Sequence, residues 1–248
     1  FAAPLLARTG KAIIPFPGGD RLGARPLDRL FQCFSQMNIR TEEKDDFIVF
    51  TTDKIKATDF TFPKPSHTVT ETLLMAAALA EGTTTLNNAA QEPEIDDLIL
   101  MLNNMGAKIN RHSDDPSKIT IVGVPWLGGT QHQVIADRNE AVTFACAALA
   151  TKGSVSILRI NPKIIEAFLR TVENMGAKIF RGQDEVAIDW IKPLRAIDIE
   201  TAPEPGFMTD WQQPMVILLT QANGISIIHE TVYEKRFGYV TELKKMGA

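Results

Sequence analysis

The sequence predicts an α+β fold made from a repeated unit of roughly seventy residues. Two landmarks carry that expectation. The phrase Met105-Gly-Ala-Lys-Ile109 recurs as Met175-Gly-Ala-Lys-Ile179 and as Met246-Gly-Ala248, with a degenerate copy at Met37-Asn-Ile-Arg40. These methionines lie 68, 70 and 71 residues apart. Gly10, Gly82, Gly153 and Gly224, each between an apolar run and a β-like run, are 72, 71 and 71 residues apart. Two independent landmarks with one period mark a true repeat.

Each unit opens with an apolar, Ala- and Leu-rich run, at 69–81, 141–152 and 211–223. These runs are hydrophobic on nearly every face, which predicts helices buried in a domain interior. The landmark glycine then stops the helix. A short strand follows, at 83–86, 154–158 and 225–229. The next helix is amphipathic. Ile95, Leu98, Leu102 and Met105 keep helical spacing, and so do Ile165, Phe168, Leu169 and Val172. Pro26, Pro93 and Pro162 fall near the first turns of these second helices, where a missing N–H does no harm. Met-Gly-Ala closes the helix, and a hairpin follows, as at 178–180 and 186–190 around Gly182-Gln-Asp-Glu185. One more strand leads to the next buried helix. The cyclic order is therefore β-α-β-α-β-β, and several such units around buried helices make an α+β domain. No G-x-G-x-x-G follows a strand and there is no P-loop, which argues against a doubly wound nucleotide fold.

The repeat register divides the chain. Residues 1–136 are expected to be part of a first domain with about two units, and 137–248 part of a second with about one and a half. The first unit starts inside its buried helix and the last stops before its hairpin. The chain is therefore expected to be a fragment lacking both ends, because a natural boundary avoids such cuts.

Composition excludes several classes. The chain has 248 residues, 44% hydrophobic and 23% charged, enough apolar mass for a core. A net charge of -4 with mixed signs leaves no footprint for nucleic acid. No apolar run approaches a membrane span, and the N-terminus lacks the basic region of a signal peptide. Cys33 and Cys146 sit in apolar helical stretches and read as small core residues in a reducing cytosol. The histidines at 67, 112, 132 and 229 show no metal-ligand spacing.

Chemistry is expected where the last strand of each unit enters the next buried helix. These loops read Lys64-Pro-Ser-His67, Asp137-Arg-Asn-Glu140 and Thr209-Asp-Trp-Gln212. A helix N-terminus presents free N–H groups and a positive dipole, which suit phosphate and carboxylate ligands. Asp137 and Asp210 have a second reading, as plain N-caps. The loop Pro17-Gly-Gly-Asp-Arg-Leu-Gly-Ala-Arg-Pro26 adds turn-forming glycines, one carboxylate and two arginines suited to phosphate. Its other reading is a surface loop with solvated charges.

The loop Pro17-Gly-Gly-Asp-x-x-Gly-Ala-Arg-Pro-x-Asp28 resembles the catalytic loop of UDP-N-acetylglucosamine enolpyruvyl transferases, members of the EPSP synthase-like superfamily. Leu79-Ala-Glu-Gly-Thr-Thr84, Asn88-Ala-Ala-Gln-Glu-Pro-Glu-Ile95, Asp137-Arg-x-Glu140, Thr201-Ala-Pro203, Thr209-Asp-x-Gln212 and Glu230-Thr-Val-Tyr-Glu-Lys-Arg-Phe237 continue the resemblance in order. It implies an inside-out α/β barrel, two domains of three repeats each, incomplete here. It implies transfer of the enolpyruvyl group of phosphoenolpyruvate to the 3-hydroxyl of UDP-N-acetylglucosamine with release of phosphate. That is the first committed step of peptidoglycan synthesis, in the cytoplasm, with no metal or organic cofactor and neither nucleic acid nor membrane as partner.

Mapped onto this chain, Asp20 takes the place of the general acid that protonates the enolpyruvyl methylene, where most members have Cys. Arg25 matches the loop arginine that contacts phosphate. Arg25, Pro26, Leu27, Asp28 and Arg29, then Lys64, Pro65, Ser66 and His67, and Val232 match nucleotide-sugar contacts. Asp137 is assigned to substrate binding, and Asp210 matches the carboxylate beside the attacking hydroxyl, a general base. Thr68 stands where the family usually has Gly, Gln91 where it commonly has Arg, and Lys235 where it commonly has Asn. A Lys-Asn pair and further arginines of the family have no counterpart here, so the 248-residue chain alone is expected to lack turnover. Two alternatives stay open: a shikimate-pathway enolpyruvyl transferase, and a catalytically silent, truncated binding module.

Overall fold

The computed structural model describes residues 1–19 and 27–248. They divide into two compact units, with the boundary between residues 134 and 135. The first contains α1 (Ala2–Thr9), β1 (Lys11–Pro15), α2 (Asp28–Gln36), β2 (Arg40–Glu43), β3 (Phe47–Thr51), β4 (Asp59–Thr61), α3 (His67–Ala77), β5 (Thr83–Asn87), α4 (Pro93–Asn104), β6 (Lys108–Arg111) and β7 (Ile119–Val122). Its sheets have the orders β1-β3-β2 and β4-β5-β7-β6. The second unit contains α5 (Arg138–Ala150), β8 (Ser154–Leu158), α6 (Glu166–Met175), β9 (Lys178–Arg181), β10 (Glu185–Asp189), β11 (Ile199–Glu200), α7 (Gln212–Leu219), β12 (Ile228–His229) and α8 (Val240–Lys245). Its sheets are β8-β10-β9 and β11-β12. Single 3-10 turns at Pro162–Ile165 and Thr209–Trp211 lead into α6 and α7.

The sequence repeat is a repeat of strand register. Lys11 and Arg40 both face Thr51, from opposite sides. Thr83 and Lys108 face Val122 in the same way, and Ser154 and Lys178 face Asp189. In these three repeats, the residue after the landmark glycine and the residue three after the methionine flank the end of one central antiparallel strand. The parallel pairs β4–β5 and β11–β12 then join one repeat to the next.

The Met-Gly-Ala phrase has a backbone cause. Gly106, Gly176 and Gly247 are left-handed, at φ 103, 111 and 93°. This lets the following alanine N–H reach back to the helix, Ala107 to the Leu102 carbonyl and Ala177 to that of Val172, both at 3.0 Å. The degenerate copy keeps the geometry with Asn38 at φ 62°, since Asn tolerates this region better than other side chains. The second landmark is less uniform. Gly10, Gly82 and Gly224 are left-handed, but at the third copy the left-handed residue is Lys152, one position before Gly153.

Each unit has its own core. In the first, Leu73, Leu74, Ala76 and Ala77 of α3 pack with Phe34, Phe50, Leu86, Ile95 and Ile121. In the second, Val142, Ala145 and Leu149 of α5 pack with Phe168, Val172, Val186, Ile188, Trp211 and Met215. Ile165, Phe168, Leu169 and Val172 are wholly buried, as their spacing predicts. Each such side chain contributes about 1.5–3 kcal/mol by leaving water.

Four expectations need correction. The landmark glycine stops only α1: α3, α5 and α7 end at Ala77, Ala150 and Leu219, short of Gly82, Gly153 and Gly224. The apolar helices are not enclosed on all sides within the units: Phe144 on α5 and Ile217 on α7 are exposed. Helix α5 packs along α7 and against β8 and β10, which leaves its other side open. The strand expected before α5 does not form. A strand needs a ladder partner, and residues 125–134 are pinned otherwise: Gly128 N–H to the Met105 carbonyl at 2.7 Å, and His132 to Asp97 at 3.0 Å. The expected strand at 225–229 shortens to Ile228–His229 for the same reason, since only those residues find β11. Among the described residues, no helix is long and apolar enough to cross a membrane.

Candidate functional site

The three loops at helix N-termini behave differently. At α3, Ser66 is extended (φ -141°, ψ 109°) and its side chain makes no cap hydrogen bond. Among the described residues, the first N–H groups of α3 therefore have no side-chain cap, and Lys64 and His67 lie beside them. Arg29 of α2 donates to the Lys64 carbonyl at 3.5 Å. Arg29 and the 64–67 loop, far apart in sequence, thus meet in the first unit. His67 Nε2 lies 3.7 Å from Glu71 Oε1 and, among the described residues, has no hydrogen-bond partner, although it is shielded from water. Leu27 packs on the core and Asp28 is the first residue of α2.

At α5 the N-cap reading of Asp137 holds. Its Oδ1 accepts from the N–H groups of Asn139 at 2.7 Å and Glu140 at 3.1 Å. The next residue, Arg138, is 1% exposed. Its guanidinium donates to Glu204 at 2.8 Å and lies 5.8 Å from the centre of the Trp211 ring. The motifs beginning at Asp137 and Thr209 therefore meet within the second unit, together with Glu204, the residue that follows Thr201-Ala-Pro203.

At α7 the carboxylate does something else. Asp210 sits inside the 3-10 turn and accepts from Arg236 rather than capping the helix. The Arg236 side chain is 6% exposed and that of Asp210 is 41% exposed. The guanidinium also lies 5.4 Å from the Tyr233 ring centre. A buried cation thus holds a half-exposed anion, which keeps one face of the carboxylate available. Glu230 binds the same region from the other side, accepting from Thr209 Oγ1 at 2.9 Å and Gln212 Nε2 at 2.8 Å. Tyr239 donates to Gln212 at 2.8 Å, and burial pushes the Tyr239 hydroxyl up to about 12.

Sequence reasoning assigned Asp210 and Val232 but missed Arg236, Glu230 and Gln212. The signal was present, because all three lie within the recognised motifs. What sequence could not supply was their pairing across 18 and 26 residues. Asp20, Arg25 and Pro26 lie outside the described residues. The motif 88–95, by contrast, is explained by packing: Ala89 and Ala90 are fully buried and Pro93 opens α4.

Comparison with solved structures defines the fold. The chain superposes on the enolpyruvyl transferase NikO of Streptomyces tendae with a TM-score of 0.82, covering 97% of this chain and 57% of that one at 24% identity. An EPSP synthase of Acinetobacter baumannii gives 0.64 over 92% of this chain and 53% of its own. The fold is that of the enolpyruvyl transferases. The EPSP synthase (3-phosphoshikimate 1-carboxyvinyltransferase) family profile matches residues 2–248, and the chain belongs to that family.

Among curated relatives, it is 43% identical over 248 residues to UDP-N-acetylglucosamine 1-carboxyvinyltransferase 1 of Carboxydothermus hydrogenoformans, covering 100% of this chain and 59% of that protein. It is 43% identical to UDP-N-acetylglucosamine 1-carboxyvinyltransferase 2 of Prochlorococcus marinus, covering 99% of this chain and 58% of that protein. The enzyme of that name in Vibrio campbellii is 42% identical, with coverage of 99% and 58%. The chain thus spans a little under three fifths of the length of these relatives.

Proposed function

We propose that this protein transfers the enolpyruvyl group of phosphoenolpyruvate to the 3-hydroxyl of UDP-N-acetylglucosamine, releasing phosphate, as a step of peptidoglycan synthesis in the cytoplasm. The observation that carries the reading is Asp210, a half-exposed carboxylate anchored by a buried arginine, in a chain 43% identical from end to end to transferases of that name. An anchored carboxylate with an open face suits removal of a proton from a hydroxyl. Asp20 is the group assigned to protonate the enolpyruvyl methylene, so that one acid and one base serve opposite ends of the addition. The uncapped start of α3, with Lys64, His67 and Arg29 nearby, suits a nucleotide diphosphate. Two buried, unpaired thiols fit a reducing compartment.

Phosphate release is measured with phosphoenolpyruvate and either UDP-N-acetylglucosamine or shikimate 3-phosphate, on the full-length protein. Turnover with the nucleotide sugar alone is expected, and Asp210→Asn should lower kcat by roughly 10²–10⁴. Turnover only with shikimate 3-phosphate moves the assignment to that acceptor. Sugar-nucleotide binding without turnover identifies a binding module.

A further inference from the structure

We infer that Glu230 is a positioning residue that locks Asp210 and Val232 into one rigid element. The inference rests on the reading of those two residues as substrate-facing groups. Glu230 follows β12 and touches two separate stretches of chain. Its Oε2 accepts from Thr209 Oγ1 at 2.9 Å and Gln212 Nε2 at 2.8 Å, which bracket Asp210 in sequence. Its Oε1 accepts from the backbone N–H of Val232 at 2.8 Å and of Tyr233 at 3.0 Å. A carboxylate offers about four acceptor positions, and here four donors fill them. No neutral side chain of similar size can do the same, because an amide brings one oxygen and two donors.

The clamp is reinforced on both flanks. Thr231 N–H donates to Thr201 Oγ1 at 3.0 Å, and Thr231 Oγ1 donates back to the Thr201 carbonyl. Tyr239 holds the free end of Gln212 at 2.8 Å. Arg236 then reaches from the clamped 230–239 segment to Asp210. The Asp210 carboxylate and the Val232 backbone therefore cannot move independently while Glu230 is in place. Groups that must meet one substrate at two points gain from such coupling, since misplacement of about 1 Å costs up to 10²-fold in rate.

The test uses Glu230→Ala and Glu230→Gln in the full-length protein, with two readouts. The first is amide hydrogen exchange at Val232 and Tyr233 without substrate, which is independent of any activity. Both amides should exchange at least tenfold faster in Glu230→Ala. The second is steady-state kinetics with phosphoenolpyruvate and UDP-N-acetylglucosamine. Glu230→Ala should lower kcat on the order of 10²-fold and raise KM for the nucleotide sugar, with Glu230→Gln recovering part of both. A merely structural role would reduce the folded fraction and leave KM unchanged. In an Asp210→Asn background, Glu230→Gln should lower kcat by less than twofold, because it acts through Asp210. If the unmutated protein does not turn over, the proposed function fails and the exchange data alone decide the coupling. Unchanged exchange at both amides, or kcat and KM within twofold of the unmutated protein in Glu230→Ala, overturns the inference.

Discussion

The Asp210–Arg236 pair should be energetically lopsided, and the direction follows from exposure. The Arg236 side chain is 6% exposed, whereas that of Asp210 is 41% exposed. Asp210→Ala strands a guanidinium away from water, with the Tyr233 ring and Gln213 beside it. Removing one partner of a buried pair costs about 3–5 kcal/mol, and the low end applies here because ring and amide compensate in part. Arg236→Met leaves Asp210 with water on its open face, so the loss should be about 1 kcal/mol. The double variant, with neither charge, should be more stable than Asp210→Ala alone. Urea unfolding followed by tryptophan fluorescence reports on this directly, since Trp211 adjoins Asp210 in the same turn. A loss of about 3 kcal/mol corresponds to roughly 10 °C in thermal midpoint for a chain of this size. If Asp210→Ala costs no more than Arg236→Met, or if the double variant shows the simple sum, the guanidinium is not the buried partner that depends on the pair.

Three other outcomes are expected. Asp137→Ala removes two N-cap hydrogen bonds from α5 and should cost about 1 kcal/mol in thermal unfolding, with Asp137→Ser recovering most of it; no loss would point to a role in substrate contact alone. Burial pushes the thiols of Cys33 and Cys146 up to about 12, so a disulfide reagent at pH 8 should label neither until denaturant is added; fast labelling of the folded chain would contradict the core packing. Fosfomycin, an epoxide that alkylates the loop cysteine of the family resembled, should leave the full-length protein unmodified, because a carboxylate at Asp20 is a weaker nucleophile than a thiolate. Asp20→Cys should restore the adduct, and a covalent adduct on the unmutated loop, detected by intact mass, would refute this.

Much of the fold was legible because its signals are local. A left-handed residue after each methionine is a backbone requirement that only Gly or Asn meets easily, so the turn is written in the sequence at 38, 106, 176 and 247. The spacing of Ile165, Phe168, Leu169 and Val172 states which face of α6 and of the turn leading into it is buried. The strand before α5 was not legible, because whether a short apolar segment becomes a strand depends on a partner supplied from elsewhere. The same limit applied at Gly153, where Lys152 takes the left-handed position instead.

The sequence by itself determined the repeat, its register, the helix ends at the Met-Gly-Ala phrase and the motif residues that carry charge. Tertiary structure decided what those charges do. Asp137 and Asp210 both lie in a loop that enters a buried helix, 16 and 14 residues before Gly153 and Gly224, and both carry the same two readings, cap or substrate contact. One caps its own helix. The other is claimed by Arg236, a residue 26 positions away that the fold brings to it. A cap is a contact between near neighbours, set by spacing and dihedral preference. An ion pair between a buried guanidinium and a half-exposed carboxylate exists only after the chain has folded around both, because burial fixes which group needs the other.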